Sequence, residues 1–314
     1  MEKTVTKERI MPRNTKRLIF YICVTALPVL QFLIFYIYVN FNSILLAFKT
    51  YTPNEGDLGY TITFAGMKNF AAAFNFLKDS VYMIKNSLLN FVFGSLLGLF
   101  LALVFSFYIY KKFPGSGFFK VILFMPQIIS AVVFALLFKY IVTDVYINVA
   151  KTLTGAEVKG LLDNSDTVLF TVILYNLWHG FGVNILLFSG AMSNINDSVI
   201  ESAWLDGVNY MQEFFKIVLP MIFSTLKSFL VIAIVGVFTN QMQLVSLFGM
   251  SAGSVASLGY TLYVHAQGSD VVSLNASYLT YSELSALGLM LTIVVFPVTV
   301  LVKKAMDKFG PSVN

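Results

Sequence analysis

Six stretches of this chain stay apolar long enough to cross a bilayer, and polar residues gather between them. A hydrocarbon core of about 30 Å takes about 20 helical residues, and such runs lie near 18–39, 86–110, 118–142, 167–191, 224–248 and 284–302. Each exceeds the roughly 10 residues of a tilted barrel strand, and none shows the alternation such a strand needs. The pattern predicts an all-α, polytopic membrane protein: six transmembrane helices over 18–302, a basic tail at 1–17 and a short tail at 303–314.

The segments between the runs predict less regular structure. Residues 40–80 form a long loop with turn chemistry at Thr52-Pro53-Asn54-Glu55-Gly56-Asp57. Its FAGMKNFAAAF stretch, 64–74, reads as a short interfacial helix along the surface. KKFPGSGFFK, 111–120, is a tight turn, and the Gly/Ser/Asn-rich loops 143–166 and 249–282 read as surface. Pro28, Pro126 and Pro297 fall inside runs, where membrane helices tolerate kinks.

Composition agrees with the pattern: 12% charged residues and a mean hydropathy of +0.78, against about 25% charged in a soluble domain. Fourteen of the 21 basic residues fall in the N-terminal tail, the 2–3 turn, the 4–5 segment and the C-terminal tail. Basic loops stay on the cytoplasmic side, so both termini are expected there. The net charge of +5 is then a matter of topology and not a nucleic-acid footprint. The first run is longer than the roughly 7–15 residues of a signal peptide core, which makes it a retained helix. Cys23 is the single cysteine, so no disulfide can form within the chain.

Catalytic signatures are missing. The sequence has no phosphate-binding G-x-x-x-x-G-K-[ST] loop, no H-E-x-x-H and no G-x-S-x-G, and only two histidines, His179 and His265. No enzyme activity is expected. No Asp, Glu or Arg lies near the middle of a run, and Lys139 is expected near the outer end of the third. Intramembrane charges mark proton and ion pathways, so their absence argues against an ion-coupled secondary transporter of small polar solutes, the rival reading.

The polar stretch ESAWLDGVNYMQEFFKIVLP, 201–220, separates the fourth and fifth runs. Ser198-x-x-Glu201 has the form of a capping box. A helix then runs to about Asp206, Gly207 stops it, Asn209 and Gln212 offer a second, weaker cap, and another helix runs to about Leu219 before Pro220 opens the fifth run. Each helix is about 12–15 Å long, too short to span. Ile200, Ala203 and Trp204 share one side, while Phe214, Phe215, Val218 and Leu219 form a second apolar patch among Glu213 and Lys216. Two readings stay open. The pair packs on its own bundle with Glu201 as a cap, or it is a knob presenting Glu201 and Asp206 to basic residues of another protein.

A second polar cluster, FTNQMQ at 238–243, lies in the fifth run. On a helix Asn240 and Gln243 share a face with Gly236, beside Thr239 and Met242. Thr239, Asn240, Gln241 and Gln243, with Trp178, His179 and Asn184 of the fourth run, are the polar and aromatic groups that the resemblance drawn below implies as the candidate substrate pathway. Amides bond hydroxyls and rings pack the apolar face of a sugar, although amides also bridge helices. No arginine lines the runs, which favours a neutral ligand over a phosphorylated one.

The 201–220 stretch resembles the EAA motif of binding-protein-dependent ABC importer permeases: Glu-Ala-Ala, three residues further Asp-Gly-Ala, then Ile-x-Leu-Pro. Glu201, Ala203, Asp206, Gly207, Ile217, Leu219 and Pro220 fit, and Ser202 and Val208 stand for alanines. FAGMKNF, FMPQIISAVVFALLF and the LWHGFGVNILLFSGAMSNINDSVIESA run are similar to segments of maltose- and glycerol-phosphate-type sugar permeases. GMSAGS, 249–254, departs from the Thr-x-Gly-Gly-Pro turn of many relatives. The resemblance implies the type I importer permease fold, in a prokaryotic cell (inner) membrane. It implies coupling helices at 198–220 that carry Glu201, Ser202, Ala203, Asp206, Gly207, Leu219 and Pro220. It also implies a second permease subunit, a cytoplasmic ATPase dimer that holds the ATP and Mg, an extracellular solute-binding protein and a sugar or oligosaccharide substrate, with no cofactor in this chain.

Overall fold

The computed structural model describes residues 13–53, 60–267 and 279–311. Part of the 1–17 tail, Asn54, Glu55, Gly56 and Asp57 of the expected turn and residues 268–278 lie outside them. Five helices among the described residues are long and apolar enough to cross a membrane, and six if one strongly bent pair counts as a single span.

Helix α1 (Arg13–Gln31) continues through a wide π turn, Phe32–Tyr38, into Val39–Leu46. Its apolar side chains are exposed along most of its length. The long first loop then adds one piece of β structure to an otherwise helical chain: strands β1 (Lys49–Pro53) and β2 (Tyr60–Phe64) pair antiparallel, Lys49 opposite Phe64. Helix α2 (Lys68–Asp79) follows. It buries Asn69, Ala73 and Phe76, and the Asn69 amide donates to the carbonyls of Ala47 (2.8 Å) and Lys49 (2.9 Å). That amide pins the helix to the start of the hairpin, so α2 is partly inserted instead of lying free along the surface.

Helix α3 (Val81–Tyr110) carries a π stretch at Asn90–Leu96. Helix α4 (Ser116–Ile128) contains Pro126, whose ring cannot donate the ladder bond. The chain breaks at Ile129 and Ser130, both extended, before α5 (Ala131–Thr154). The third apolar run is therefore two helices. α5 continues well into the expected 143–166 loop before Gly155 ends it, and this puts Lys139 within the helix instead of at its end. Helix α6 (Val168–Ser193) packs on both α3 and α4. After it come α7 (Asp197–Leu205), α8 (Tyr210–Met221) and α9 (Phe223–Val235).

The fifth run departs most from its hydropathy. α9 has 13 residues, about 20 Å, and stops at Gly236. Residues 236–243 are turns, with Met242 and Gln243 at positive φ, and only then does α10 (Leu244–Phe248) form. The following segment is no surface loop: Val255, Ala256, Ser257 and Leu258 are buried, and α11 (Leu258–Ala266) folds back into the bundle. The Asn86 amide of α3 donates to the carbonyls of Ser254 and Ala256, both at 2.9 Å, and the Ser87 hydroxyl accepts from the Leu258 N–H. Gly259 lies so close to the turn that a Cβ there would meet the Thr239 carbonyl carbon at 2.5 Å. Helix α12 (Tyr281–Phe309) begins with a Thr280/Glu283 capping box and extends through most of the 303–314 tail.

Two separate cores hold the bundle. One gathers Met83, Val172, Tyr175, Leu244, Leu258 and Leu287. The other gathers Leu103, Phe107, Phe188, Met192, Phe214 and Val218. Along α3 and α6 the change from one to the other falls near residues 94–98 and 176–184, where glycines and polar side chains are interspersed among the apolar ones.

Candidate functional site

The α7–α8 pair is built by three local devices. Asn196 caps α7, its side chain accepting from the Ser198 N–H at 3.1 Å. This corrects the expected Ser198–Glu201 box: the helix starts before Ser198, so Glu201 sits in its second turn and makes no capping bond. At the other end the Gly207 N–H bonds the Trp204 carbonyl (3.0 Å) and the Val208 N–H the Ala203 carbonyl (3.1 Å), with Gly207 at φ +75°. These two bonds form a Schellman turn. Asn209 and Gln212 then make a complete capping box, at 2.9 and 3.1 Å. Pro220 lies in the last turn of α8 and does not open the next helix; the break falls at Ile222, where α8 and α9 meet at 73°.

One face of α7 buries Ile200 and Ala203. The opposite face exposes Glu201, Ser202, Leu205 and Asp206, where each of the first two lies about one turn from the last two. The Ser202 hydroxyl bonds back to the Ser198 carbonyl at 2.7 Å. Leu205 is 89% exposed and Met211 70%, an apolar tip beside two carboxylates. Leu219 and Pro220 are half-buried at the far end of the pair. Glu213, read in the sequence only as a charge beside the Phe214–Leu219 apolar patch, is 0% exposed and pairs with Lys111 of the 2–3 turn at 2.9 Å. Its sequence surroundings, one acid before Phe214 and Phe215, give no sign of that burial.

Between the two cores α3, α6 and α9 enclose a cleft of about 260 Å³. Asn176, Asn184, Asn240 and Ser95 supply its polar atoms, and glycines 94, 98, 180 and 236 its open walls. Among the described residues no ionisable side chain lines it. The Asn176 amide donates to Asn90 Oδ1 at 2.8 Å. Asn240 Oδ1 accepts from the Met242 N–H at 2.7 Å, an Asx turn that holds the unwound segment. The Ser257 hydroxyl donates to the Asn240 carbonyl at 3.1 Å.

Of the residues expected along the pathway, Asn184 and Asn240 meet in this cleft. The others do not. Trp178 and His179 pack on Phe134 of α5, with ring centroids 5.1 and 5.9 Å apart. Thr239 faces a different, mainly apolar cleft beside α12. Gln241 and Gln243 line neither; the face expected to join Gly236, Asn240 and Gln243 exists only on a continuous helix, and the helix ends at Val235. Asn176, Asn90 and Ser95 were missed. Their signal was present as asparagines and a serine at intervals inside apolar runs, but each reads equally as a helix bridge.

Residues 94–314 match the family described as binding-protein-dependent transport system inner membrane component. The arabinooligosaccharides transport system permease protein AraP of Bacillus subtilis (strain 168) is 27% identical over 91% of this chain and 88% of its own length. The sn-glycerol-3-phosphate transport system permease protein UgpA of Shigella dysenteriae serotype 1 is 27% identical over 76% and 81%. Among solved structures, a bacterial ABC transporter involved in the import of the acidic polysaccharide alginate superposes with a TM-score of 0.71 at 20% identity, covering 95% of this chain and 98% of that one. With the match spanning most of the bundle and the fold shared from end to end, this chain belongs to the binding-protein-dependent transport system inner membrane component family, and its fold is that of an ABC importer permease.

Proposed function

We propose that this chain is a permease subunit of a prokaryotic ABC importer for a neutral sugar or oligosaccharide, with no enzymatic activity of its own and both termini in the cytoplasm. A second permease subunit completes the pathway, and an extracellular solute-binding protein delivers the substrate. A cytoplasmic ATPase dimer, which holds ATP and Mg, docks on the α7–α8 pair. The observation that carries this reading is the outward face of α7: Glu201 and Asp206 stand exposed beside the apolar tip of Leu205, held by a capped helix and a glycine turn. An acidic and apolar knob of that kind fits a cleft with basic rims on another protein. Ser202, Ala203, Gly207, Leu219 and Pro220 shape and anchor the knob.

The cleft supports the substrate class. Amides at Asn176, Asn184 and Asn240 with the Phe181 and Phe229 rings suit an uncharged polyol, and no cation is placed there to hold a phosphate or carboxylate. The AraP and UgpA relatives are named for arabinooligosaccharides and sn-glycerol-3-phosphate, and the cleft favours the former kind.

The test is purification of the complex from native membranes. We expect an ATPase to co-purify with the chain, to be lost from the Glu201→Lys variant, and reconstituted uptake of labelled oligosaccharide to require ATP. Uptake that proceeds without the ATPase and collapses with the ion gradient would establish an ion-coupled secondary transporter instead.

A further inference from the structure

Beneath the exposed face of α7 lies a charge cluster largely withdrawn from solvent. Glu213 is 0% exposed and the Lys111 side chain 9%. Lys111 Nζ meets Glu213 Oε1 at 2.9 Å, and the Trp204 indole N–H donates to Glu213 Oε2 at 2.8 Å, so both carboxylate oxygens are bonded. The ammonium lies 4.3 Å from the Trp204 ring centre and 5.7 Å from those of Tyr110 and Tyr210, so ring faces replace its water. Phe107–Phe214 and Phe113–Tyr210 contacts, at 5.0 and 5.1 Å, close the cage. Three segments meet here: the end of α3, the last turn of α7 and the first turn of α8. A desolvated pair of this kind is strong in its low-dielectric surroundings and intolerant of losing one partner.

The chain itself offers a poorer mechanical link. From the α7–α8 pair it continues into α9 through a π turn at Phe214–Val218, a break at Ile222 and the 73° bend. α3, by contrast, is regular from the residue before Lys111, Tyr110, back to Leu97, which brings it to the cleft at Gly98; Gly94 and Ser95, also on the cleft wall, follow directly in its π stretch. We propose that Lys111, Glu213 and Trp204 are positioning residues that clamp the α7–α8 pair to α3, so that movement imposed at Glu201 and Asp206 reaches the cleft through α3. This deepens the permease reading and rests on it.

The experiment uses the full complex in nanodiscs, with this chain as Cys23→Ser carrying either Ser95→Cys in the cleft or Leu205→Cys on the knob. Maleimide reactivity is measured with and without ATP and vanadate. We expect the nucleotide-dependent change at position 95 to fall at least about fivefold in Glu213→Gln and Lys111→Met. The change at position 205 should persist in both, and the double variant should be no worse than either single. If Glu213→Gln does not assemble, Trp204→Phe, which keeps a ring over Lys111 but removes the indole donor, decides by the same readout. A full response at position 95 in assembled variants overturns the clamp, as does a parallel loss at 95 and 205, which marks a folding role only. No nucleotide response at either position in the parent complex overturns the permease reading and the clamp with it.

Discussion

Gly207 and Gly259 are both required to be glycine, for opposite reasons. Gly207 has φ +75° and open space around it, so an added methyl meets no neighbour and only the backbone conformation is penalised. Gly207→Ala is expected to lower stability by about 1 kcal/mol, read as a small fall in Tm with the complex intact. Gly259 has an ordinary φ, but a Cβ would meet the Thr239 carbonyl carbon at 2.5 Å and its oxygen at 2.6 Å. Gly259→Ala must push the 239–240 turn aside, and we expect uptake to fall more steeply than Tm. The first constraint was legible because a glycine after a capped helix is a local signal. The second arises from residues twenty positions away and leaves no mark near Gly259. Glu213 was illegible for the same reason, since Lys111 lies across the bundle.

Among the elements, those that followed their hydropathy were α3, α6 and α12, whose apolar periods agree with their helical extent. The third and fifth runs did not, because hydropathy is blind to backbone geometry. Leucines and valines flank the Ile129–Ser130 break as freely as they fill a continuous helix. In the fifth run the helix has already stopped at Gly236, and Asn240 holds the non-helical segment beyond it, its side chain taking the Met242 N–H that a continuing helix would give to a backbone carbonyl. Asn240→Ala is expected to remove that turn at a cost of about 1 kcal/mol, and hydrogen exchange at 241–243 should quicken. Unchanged exchange would show that the segment is held by Ser257 and Gly259 alone. Non-helical backbone at this depth is tolerated where it lines a cavity, and this one adjoins the amide cleft.

At the scale of the molecule, the sequence conveyed the class, the six runs and the motif at 201–220, while the cleft was only half visible. Asn184 and Asn240 were found as polar residues in apolar surroundings. Trp178 and His179 were assigned to the pathway by the same criterion, and packing turned them toward α5. The arrangement gives the two half-buried asparagines of α6 different roles. Asn184 makes no side-chain hydrogen bond among the described residues, so Asn184→Ala should reduce uptake about five- to tenfold, the worth of one hydrogen bond, with Tm unchanged. Asn176 holds Asn90 at 2.8 Å, so Asn176→Ala strands that amide and should lower both uptake and Tm. Equal Tm for the two variants would contradict this division.

The bonds from Asn86 and Ser87 to the 254–258 segment take on a further meaning once both ends of α3 are considered together. One end grips the folded-back segment that seats against Asn240; the other grips the α7–α8 pair through Lys111. A rod held at both ends tilts as a seesaw: whatever draws one end inward swings the other outward. Opposed opening and closing of the two mouths of the cleft then needs no relay of small rearrangements, only a pivot near the glycines where the two cores meet.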